Sequence, residues 1–475
     1  MPDSPNPTPA PPPNPTPPTE TAALAPSRPP SSWWRSWLKL GPAIIVAAVV
    51  LGPGSIVNAS RVGCRYGYDL LWVVVLAGLL MAAMTSAAMQ IGVISGETPC
   101  DFLRRRVGRF AAWLVGGSLM IAIVLFQASN NHAIAMALEG SSIASEGSSA
   151  AIPSILVLNV AVMIFVISGR RNLYRWIERS MMLLVGVMLL AFLLTLVFVR
   201  PSLGEVASGL IPRFSLSLFS AGDSQGGGTA GGDVLDWMSV AALVATTFSV
   251  AAAFFQTYQV RERGWTIGDL QTGRRDAIVG IGTLAVMTAA IVMTAAGALH
   301  ERVDASELTS AAAVAEQLRP LFGDAAAILF AVGILGGALS SFVVNAVIGG
   351  VVGSDAFVGQ SSKDHGPNET PLPRRRADFS STRARMLTLA TLAVGMSISL
   401  LVQLSNFPLV HFIVVAQSLT VIGFPLLAVT LLWQWLGVRA NLGIPEQIGV
   451  GGGMLCGLLV VLGLSLRTVV GLLGG

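Results

Sequence analysis

Long, uninterrupted apolar runs are the feature that most constrains this chain. A helix that crosses the hydrocarbon core of a bilayer needs about 20 apolar residues. Runs of this kind lie at about 40–60, 69–94, 110–138, 151–168, 178–199, 234–258, 277–299, 324–353, 386–404, 409–436 and 447–470. They are continuous rather than alternating in polarity, so a lipid-exposed strand assembly does not fit. The sequence therefore predicts an all-α polytopic membrane protein with eleven transmembrane helices.

The composition and the placement of basic residues agree with this class. Hydrophobic residues make up 53% of the chain and charged residues 11%, whereas soluble domains carry about 25% charged residues. With the N-terminus inside, 22 of the 29 Lys and Arg residues fall on the cytoplasmic side of the predicted spans. The net charge of +4 is thus a topology signal, and no nucleic-acid partner is expected. The N-terminus is predicted to be cytoplasmic and the C-terminus outside.

The chain divides into a tail and a membrane domain. Residues 1–32 contain 13 of the 26 prolines, a composition that cannot form a packed core. We expect a disordered, Pro-rich cytoplasmic tail at 1–32 and a transmembrane transporter domain at 33–475. The protein should be integral to a bacterial inner (plasma) membrane, with the lipid bilayer as a partner. Nothing in the sequence indicates an oligomeric state.

The first span is interrupted near its middle by Gly52-Pro53-Gly54-Ser55. Proline removes a backbone donor and glycine relaxes the backbone, so the helix should break at this depth. A broken helix at the midplane leaves backbone groups available to a ligand and is the best sequence pointer to a transport site. The competing interpretation is a simple kink, because Gly and Pro are common in membrane helices.

These residues resemble the Nramp divalent-metal transporter family, whose first span carries Asp-Pro-Gly-Asn at this break. Three further segments are similar to the family: residues 67–72 (GYDLLW), 103–106 (LRRR) and 168–171 (SGRR). The resemblance covers about residues 38–470 and shares the count of eleven spans. It implies a LeuT-like fold of two inverted five-helix repeats with discontinuous helices 1 and 6. Span six has no Gly or Pro between Leu235 and Gln259, so its break is implied by the resemblance alone.

The metal ligands of the family do not carry over to this chain. The Asp and Asn of the first span fall on Gly52 and Ser55, and the Met of the sixth span falls on Ser249. These three positions are metal candidates by motif position only. Without a carboxylate or a thioether, tight Mn or Fe binding in the manner of the family is not expected. Gln417 matches a Gln in the tenth span of the family.

The acidic pair of the family's third span is also absent, because it falls on Gln127 and Asn130. Neutral side chains at these positions cannot relay protons, so transport should proceed without proton coupling. The predicted substrate or ion site is a neutral set of residues: Gly52, Ser55, Asn58, Thr246, Ser249 and Gln417. The predicted pathway residues are Gln127, Asn130, His132 and Gln256. Helix packing is the alternative role for such buried polar side chains.

The sequence favours a secondary transporter of a divalent, partly hydrated metal cation, since neutral oxygens suit a hard ion that keeps water. The alternative is the same fold with an uncharged polar solute as substrate, or with a non-transporting binding or sensory role. An enzyme is not expected because no nucleophile–base pair, metal triad or phosphate loop is visible. No cofactor is predicted.

Overall fold

The computed structural model of the chain describes residues 52–140, 151–168, 186–187, 189–212, 230–359, 381–405 and 407–473. All of them belong to one compact unit, Gly41–Gly475. The predicted tail at 1–32 and the first half of the first predicted span lie outside the described residues. The division of the chain at residue 33 therefore stays a prediction.

The described residues are mostly helical. In chain order the helices are α1 Pro53–Tyr66, α2 Leu71–Ile94, α3 Pro99–Arg106, α4 Arg109–Gly140, α5 Ala151–Ser168, α6 Leu189–Val199, α7 Leu203–Gly209, α8 Ala230–Thr247, α9 Val250–Glu262, α10 Leu270–Leu299, α11 Ala311–Ala315, α12 Arg319–Phe322, α13 Ala326–Val358, α14 Thr382–Leu404, α15 Leu409–Thr420, α16 Phe424–Val438 and α17 Ile444–Leu473.

Within the described ranges, eight helical segments are long and apolar enough to cross a membrane. They correspond to eight of the predicted spans, namely those that begin at about 69, 110, 234, 277, 324, 386, 409 and 447. For the other three, the structure describes the shorter helices α1, α5 and α6. The prediction of an all-helical membrane protein is confirmed, and the exact count of eleven stays a prediction.

One helix start and one helix break lie at positions that were predicted. Gly52 is extended, with φ −82° and ψ 177°, and α1 starts at Pro53, where the fixed φ of proline suits a first helical position. The α8 helix ends at Thr247, and α9 starts at Val250 after an extended Ser249 with φ −78° and ψ 92°. The break implied for the sixth span by resemblance alone is confirmed.

Close helix packing surrounds these breaks. The α4 helix packs along α13, and α1 packs against α10 and α8. Small residues allow these approaches: a Cβ added at Gly116 of α4 would lie 2.1 Å from the Ala356 Cβ of α13. Small residues at helix interfaces are the usual means by which membrane helices associate. The break in α8–α9 and the start of α1 are thereby held in the interior of the bundle, next to α15.

Candidate functional site

A cavity lies where the two broken segments meet α4, α13 and α15. About 450 Å³ between its walls is free of protein atoms, and this space includes the part that is open to solvent. Its lining consists of Gly52, Ser55, Ile123, Phe126, Asn130, Thr246, Ser249, Ala251, Ala252, Ser341, Asn345, Ile348 and Gln417. Five of the six predicted substrate or ion residues therefore line one cavity, together with the predicted pathway residue Asn130. The sixth, Asn58, is bonded to one of the lining side chains.

Gln417 links polar side chains from two other helices at the wall of the cavity. Its Oε1 accepts a hydrogen bond from Asn58 Nδ2 at 2.7 Å, and its Nε2 donates to Ser129 Oγ at 3.1 Å. These contacts tie α15 to α1 and α4. A Cβ added at Gly54 would lie 1.5 Å from Gln417 Nε2, so only glycine leaves room for this arrangement. The glycine of the Gly-Pro-Gly sequence thus serves a packing role besides loosening the backbone.

The polar residues at the break of the sixth span bond mainly to their own backbone. Thr246 Oγ1 donates to Ala242 O at 2.9 Å, as such residues often do in membrane helices. Ser249 caps α9 by accepting from Ala252 N at 3.4 Å. Because α8 ends here, its last carbonyls lack the partners that a continued helix would supply. The carboxyl end of a half-helix carries partial negative charge, which favours a cation.

Two polar lining residues on α13 were not among the predicted site residues. Ser341 and Asn345 are buried and are spaced by one helical turn, so they share the face of α13 that borders the cavity. The signal was present in the sequence as two polar residues at i and i+4 inside an apolar run. The apolar part of the wall comes from Ile123 and Phe126 of α4 and Ile348 of α13.

Three of the predicted pathway residues lie outside the lining of the cavity. Gln127 is buried behind Asn130 and donates from Nε2 to Phe342 O at 2.8 Å. His132 is buried between helices: its Nδ1 lies 3.0 Å from Ser399 Oγ, and its ring is 4.4 Å from that of Phe412. Gln127 and His132 are near each other only because both lie on α4.

The third of these residues, Gln256, lies on α9 and is 1% exposed, and its Oε1 makes no hydrogen bond. It is buried in the half-helix that follows the break of the sixth span. A pathway role for Gln256, and likewise for Gln127 and His132, remains a prediction.

A polar cluster lies about two helical turns beyond the cavity lining on α9 and α13, next to α3, and we name it the Tyr258 closure. The Tyr258 hydroxyl of α9 donates to Asp355 Oδ2 of α13 at 2.7 Å, and Asp355 is buried. Arg104 of α3 pairs with Asp101 and also donates to the backbone carbonyl of Asp355. Cys100 lies in the same cluster, where burial, and secondarily the charge of Asp355, raise the pKa of its thiol.

A second closure lies on the opposite side, where α1 and α8 approach residues 303–310. Arg61 of α1 is 1% exposed and donates to Ser239 Oγ of α8 at 3.2 Å and to Leu308 O at 3.4 Å. Near the end of α1, Arg65 forms an ion pair with Asp236 at 2.7 Å. Arg61 was not among the predicted site residues, because it falls just beyond the first apolar run.

The cavity itself is uncharged, since its lining has no acidic or basic side chain. Across the parts of the chain that are described, no group of three or more His, Cys, Asp or Glu side chains is placed to hold a metal ion. The donors that a cation would meet are therefore amide, hydroxyl and backbone oxygens. Such oxygens suit hard cations that retain water and do not suit tight binding of soft transition metals.

Comparisons with known proteins agree with this architecture. The chain is 26% identical over 328 residues to a divalent metal cation transporter MntH from Deinococcus radiodurans, covering 66% of this chain and 68% of that protein. It is 27% identical over 327 residues to the protein of the same name from Aeromonas hydrophila, covering 66% of this chain and 72% of that protein. Both relatives are named as transporters rather than enzymes.

Solved structures share the fold. A manganese transporter from Eremococcus coleocola superposes with a TM-score of 0.63 at 17% identity, covering 94% of this chain and 97% of that chain. MhsT, solved with L-phenylalanine, superposes with a TM-score of 0.57 at 13% identity, covering 90% and 98%. The chain is thus an integral membrane protein with a transporter fold. The family described as natural resistance-associated macrophage protein-like (Nramp) matches residues 43–466, and the chain belongs to it.

Proposed function

We propose that the protein is a secondary transporter that moves a divalent cation, with part of its water shell retained, and does so without proton coupling. The observation that carries this proposal is the cavity at the Gly52 and Ser249 positions, whose lining is uncharged and whose polar groups are amides and hydroxyls. Membership of the Nramp family and the names of the relatives support divalent cations as the substrate class. An uncharged polar solute is the alternative that a neutral cavity leaves open.

The chemistry of the lining supports an ion that keeps part of its water shell. The neutral ligands of the lining replace only a small part of the hydration energy that a divalent ion loses when it is dehydrated. Mg²⁺ dehydrates reluctantly and usually keeps several waters. An ion of this kind therefore fits the lining better than a bare transition metal does.

The absence of acidic groups from the lining supports uncoupled transport. Gln127 and Asn130 are linked by a hydrogen bond of 3.5 Å at the side of the cavity, and neither titrates. Amides cannot pick up a proton on one side and release it on the other. In this proposal Gly52, Ser55 and Ser249 contribute only weak oxygen contacts to the ion, directly or through its waters.

The proposed transport cycle alternates between the two closures of the cavity. In the proposed topology the N-terminus is cytoplasmic, so the closure at Tyr258 and Asp355 faces the inside and the closure at Arg61 faces the outside. Eleven spans in two inverted five-helix repeats, in a bacterial inner membrane with the C-terminus outside, complete the proposal. It is supported by the breaks in the first and sixth segments, which occupy corresponding positions in the two halves.

Uptake into proteoliposomes tests the proposal. The panel contains Mg²⁺, Mn²⁺, Ca²⁺ and small polar solutes, and empty liposomes are the control. We expect saturable Mg²⁺ or Mn²⁺ uptake that requires the protein and is weakened by Gln417→Ala. Uptake of a polar solute with no divalent-cation uptake would instead establish the alternative.

Two buried cysteines allow alternating access to be followed directly. Cys64 lies near the Arg61 closure and Cys100 near the Tyr258 closure, whereas Cys456 is exposed on α17. In a Cys456→Ser background, substrate should raise the labelling of Cys64 by a maleimide added outside and that of Cys100 by one enclosed inside. Labelling of both from the same side would contradict the proposed cycle.

A further inference from the structure

Arg61 belongs to the outer closure of the proposed transport cycle, but its contacts there need a hydrogen-bond donor and not a full charge. Its guanidinium is held by two neutral acceptors, the Ser239 hydroxyl and the Leu308 carbonyl. A buried charge is costly unless it is paired or fully hydrogen-bonded. Sequences that need only a polar link between α1 and α8 can use an uncharged amide there. We therefore ask what a full positive charge at this position does to its electrostatic surroundings.

The acidic groups near Arg61 are engaged elsewhere. Asp236 forms its ion pair with Arg65 at 2.7 Å. Asp304 is exposed to solvent and accepts from Ser306 N at 2.8 Å. Among the residues whose positions are described, no carboxylate lies within ion-pair distance of Arg61. Asp236 and Asp304 lower the positive potential around Arg61 from a distance but do not neutralise its charge.

The position of Arg61 lets its charge act on the cavity. Arg61 is one turn beyond Asn58, whose amide bonds to Gln417 in the cavity wall. Its partner Ser239 lies seven residues, or two turns, before the lining residue Thr246 on α8. Six residues separate Arg61 from the lining residue Ser55, a rise of about 9 Å along the helix. A cation in the cavity would therefore sit on the order of 10 Å from the guanidinium.

We propose that Arg61 is a specificity-determining residue whose fixed charge weakens the binding of cations in the neutral cavity while leaving uncharged solutes unaffected. The inference rests on the proposed function, because it concerns a cation as substrate. A unit charge acts on a divalent ion at this distance with an energy that corresponds to a change of about fifteenfold to about three-hundredfold in affinity, for effective dielectric constants of roughly 40 down to 20. A weakly held ion keeps its water shell and leaves the cavity quickly.

The test measures the equilibrium dissociation constant for Mn²⁺, by electron paramagnetic resonance, on purified full-length protein. Arg61→Gln removes the charge and keeps an amide donor for the same two acceptors. Arg61→Lys keeps the charge. Arg302→Gln removes an exposed charge from the same side of the molecule. We expect the affinity for Mn²⁺ to rise at least tenfold in R61Q, with R61K close to the unmodified protein and R302Q within about twofold of it.

A second variant keeps the arginine and cancels its charge. Ser239→Asp places a carboxylate against the guanidinium, and we expect the affinity to rise as it does in R61Q. This variant decides the question if R61Q does not fold. An affinity within twofold of the unmodified protein, in whichever of R61Q and S239D are monodisperse, would overturn the inference and leave the proposed function standing.

The remaining outcomes separate the two proposals. If the unmodified protein binds no Mn²⁺ at millimolar concentration but R61Q or S239D does, the role of Arg61 is supported and Mn²⁺ is excluded as a substrate of the natural protein. If none of them binds Mn²⁺, the inference is overturned, and the Mg²⁺ and Ca²⁺ arms of the uptake panel decide the proposed function. Equal affinity gains in R61Q and R61K would also overturn the inference, because they would show that the contact matters and the charge does not.

Discussion

Replacing Gly54 by alanine should damage the cavity wall by displacing Gln417. The added Cβ would lie 1.5 Å from Gln417 Nε2 and 2.1 Å from its Cδ, so the side chain must leave. Its bonds to Asn58 at 2.7 Å and to Ser129 at 3.1 Å would then break. Gln417 is 3% exposed, so water cannot easily replace these partners. A buried polar group left unsatisfied costs about 1–3 kcal/mol.

Two such groups, less about 1 kcal/mol from the better helix propensity of alanine, give a destabilisation of roughly 1–5 kcal/mol. Thermal unfolding in detergent measures it, and uptake in proteoliposomes should fall strongly in parallel. Gly117→Ala is the matched control, because a Cβ at that position of α4 meets nothing within 4 Å. In a Gln417→Ala background, the Gly54→Ala change should cost little, since the clashing side chain is gone. Additive losses in the double variant, or G54A as stable as G117A, would refute this reasoning.

Two further predictions concern the ion site and its inner closure. The triple variant Gly52→Asp, Ser55→Asn, Ser249→Met should bind Mn²⁺ more tightly, because it adds a carboxylate and a thioether to the neutral cavity; the extended φ of −82° at Gly52 accommodates an Asp. If calorimetry on the folded triple variant detects no heat with millimolar Mn²⁺, the cavity does not have the geometry of a metal site. Tyr258→Phe removes the hydroxyl that donates a hydrogen bond to the buried carboxylate of α13 at 2.7 Å. Maleimide labelling of Cys100 from the inside should therefore become several-fold faster. An unchanged rate would show that this hydrogen bond does not hold the closure.

The helix breaks show how far local sequence rules reach. The start of α1 at Pro53 follows from the chemistry of Gly and Pro, and the sequence located it to the residue. The break before Val250 has no such signal, since Thr247, Phe248 and Ser249 are all residues that helices accept. It is set by tertiary packing: Phe248 is fully buried, and its ring lies against Gly457 of α17. Only resemblance to a family predicted it.

The composition of the cavity was predicted only in part for a similar reason. Hydropathy places a polar residue inside a span but does not say which face of the helix it occupies relative to distant spans. Ser341 and Asn345 border the cavity, whereas His132, equally deep in its helix, packs between α14 and α15. The buried charges Arg61 and Asp355 sit at the ends of apolar runs, where sequence alone assigns charges to the membrane surface. Long-range packing decides these placements.

The central claim is that a divalent cation crosses through a neutral cavity and carries no proton with it. Simultaneous recording of cation uptake and luminal pH, in proteoliposomes held at a fixed membrane potential, tests it most directly. The account predicts saturable Mg²⁺ or Mn²⁺ influx while the luminal pH stays level, because no acidic or basic side chain lines the cavity. Luminal acidification in proportion to cation influx, present with the protein and absent from empty liposomes, would contradict it.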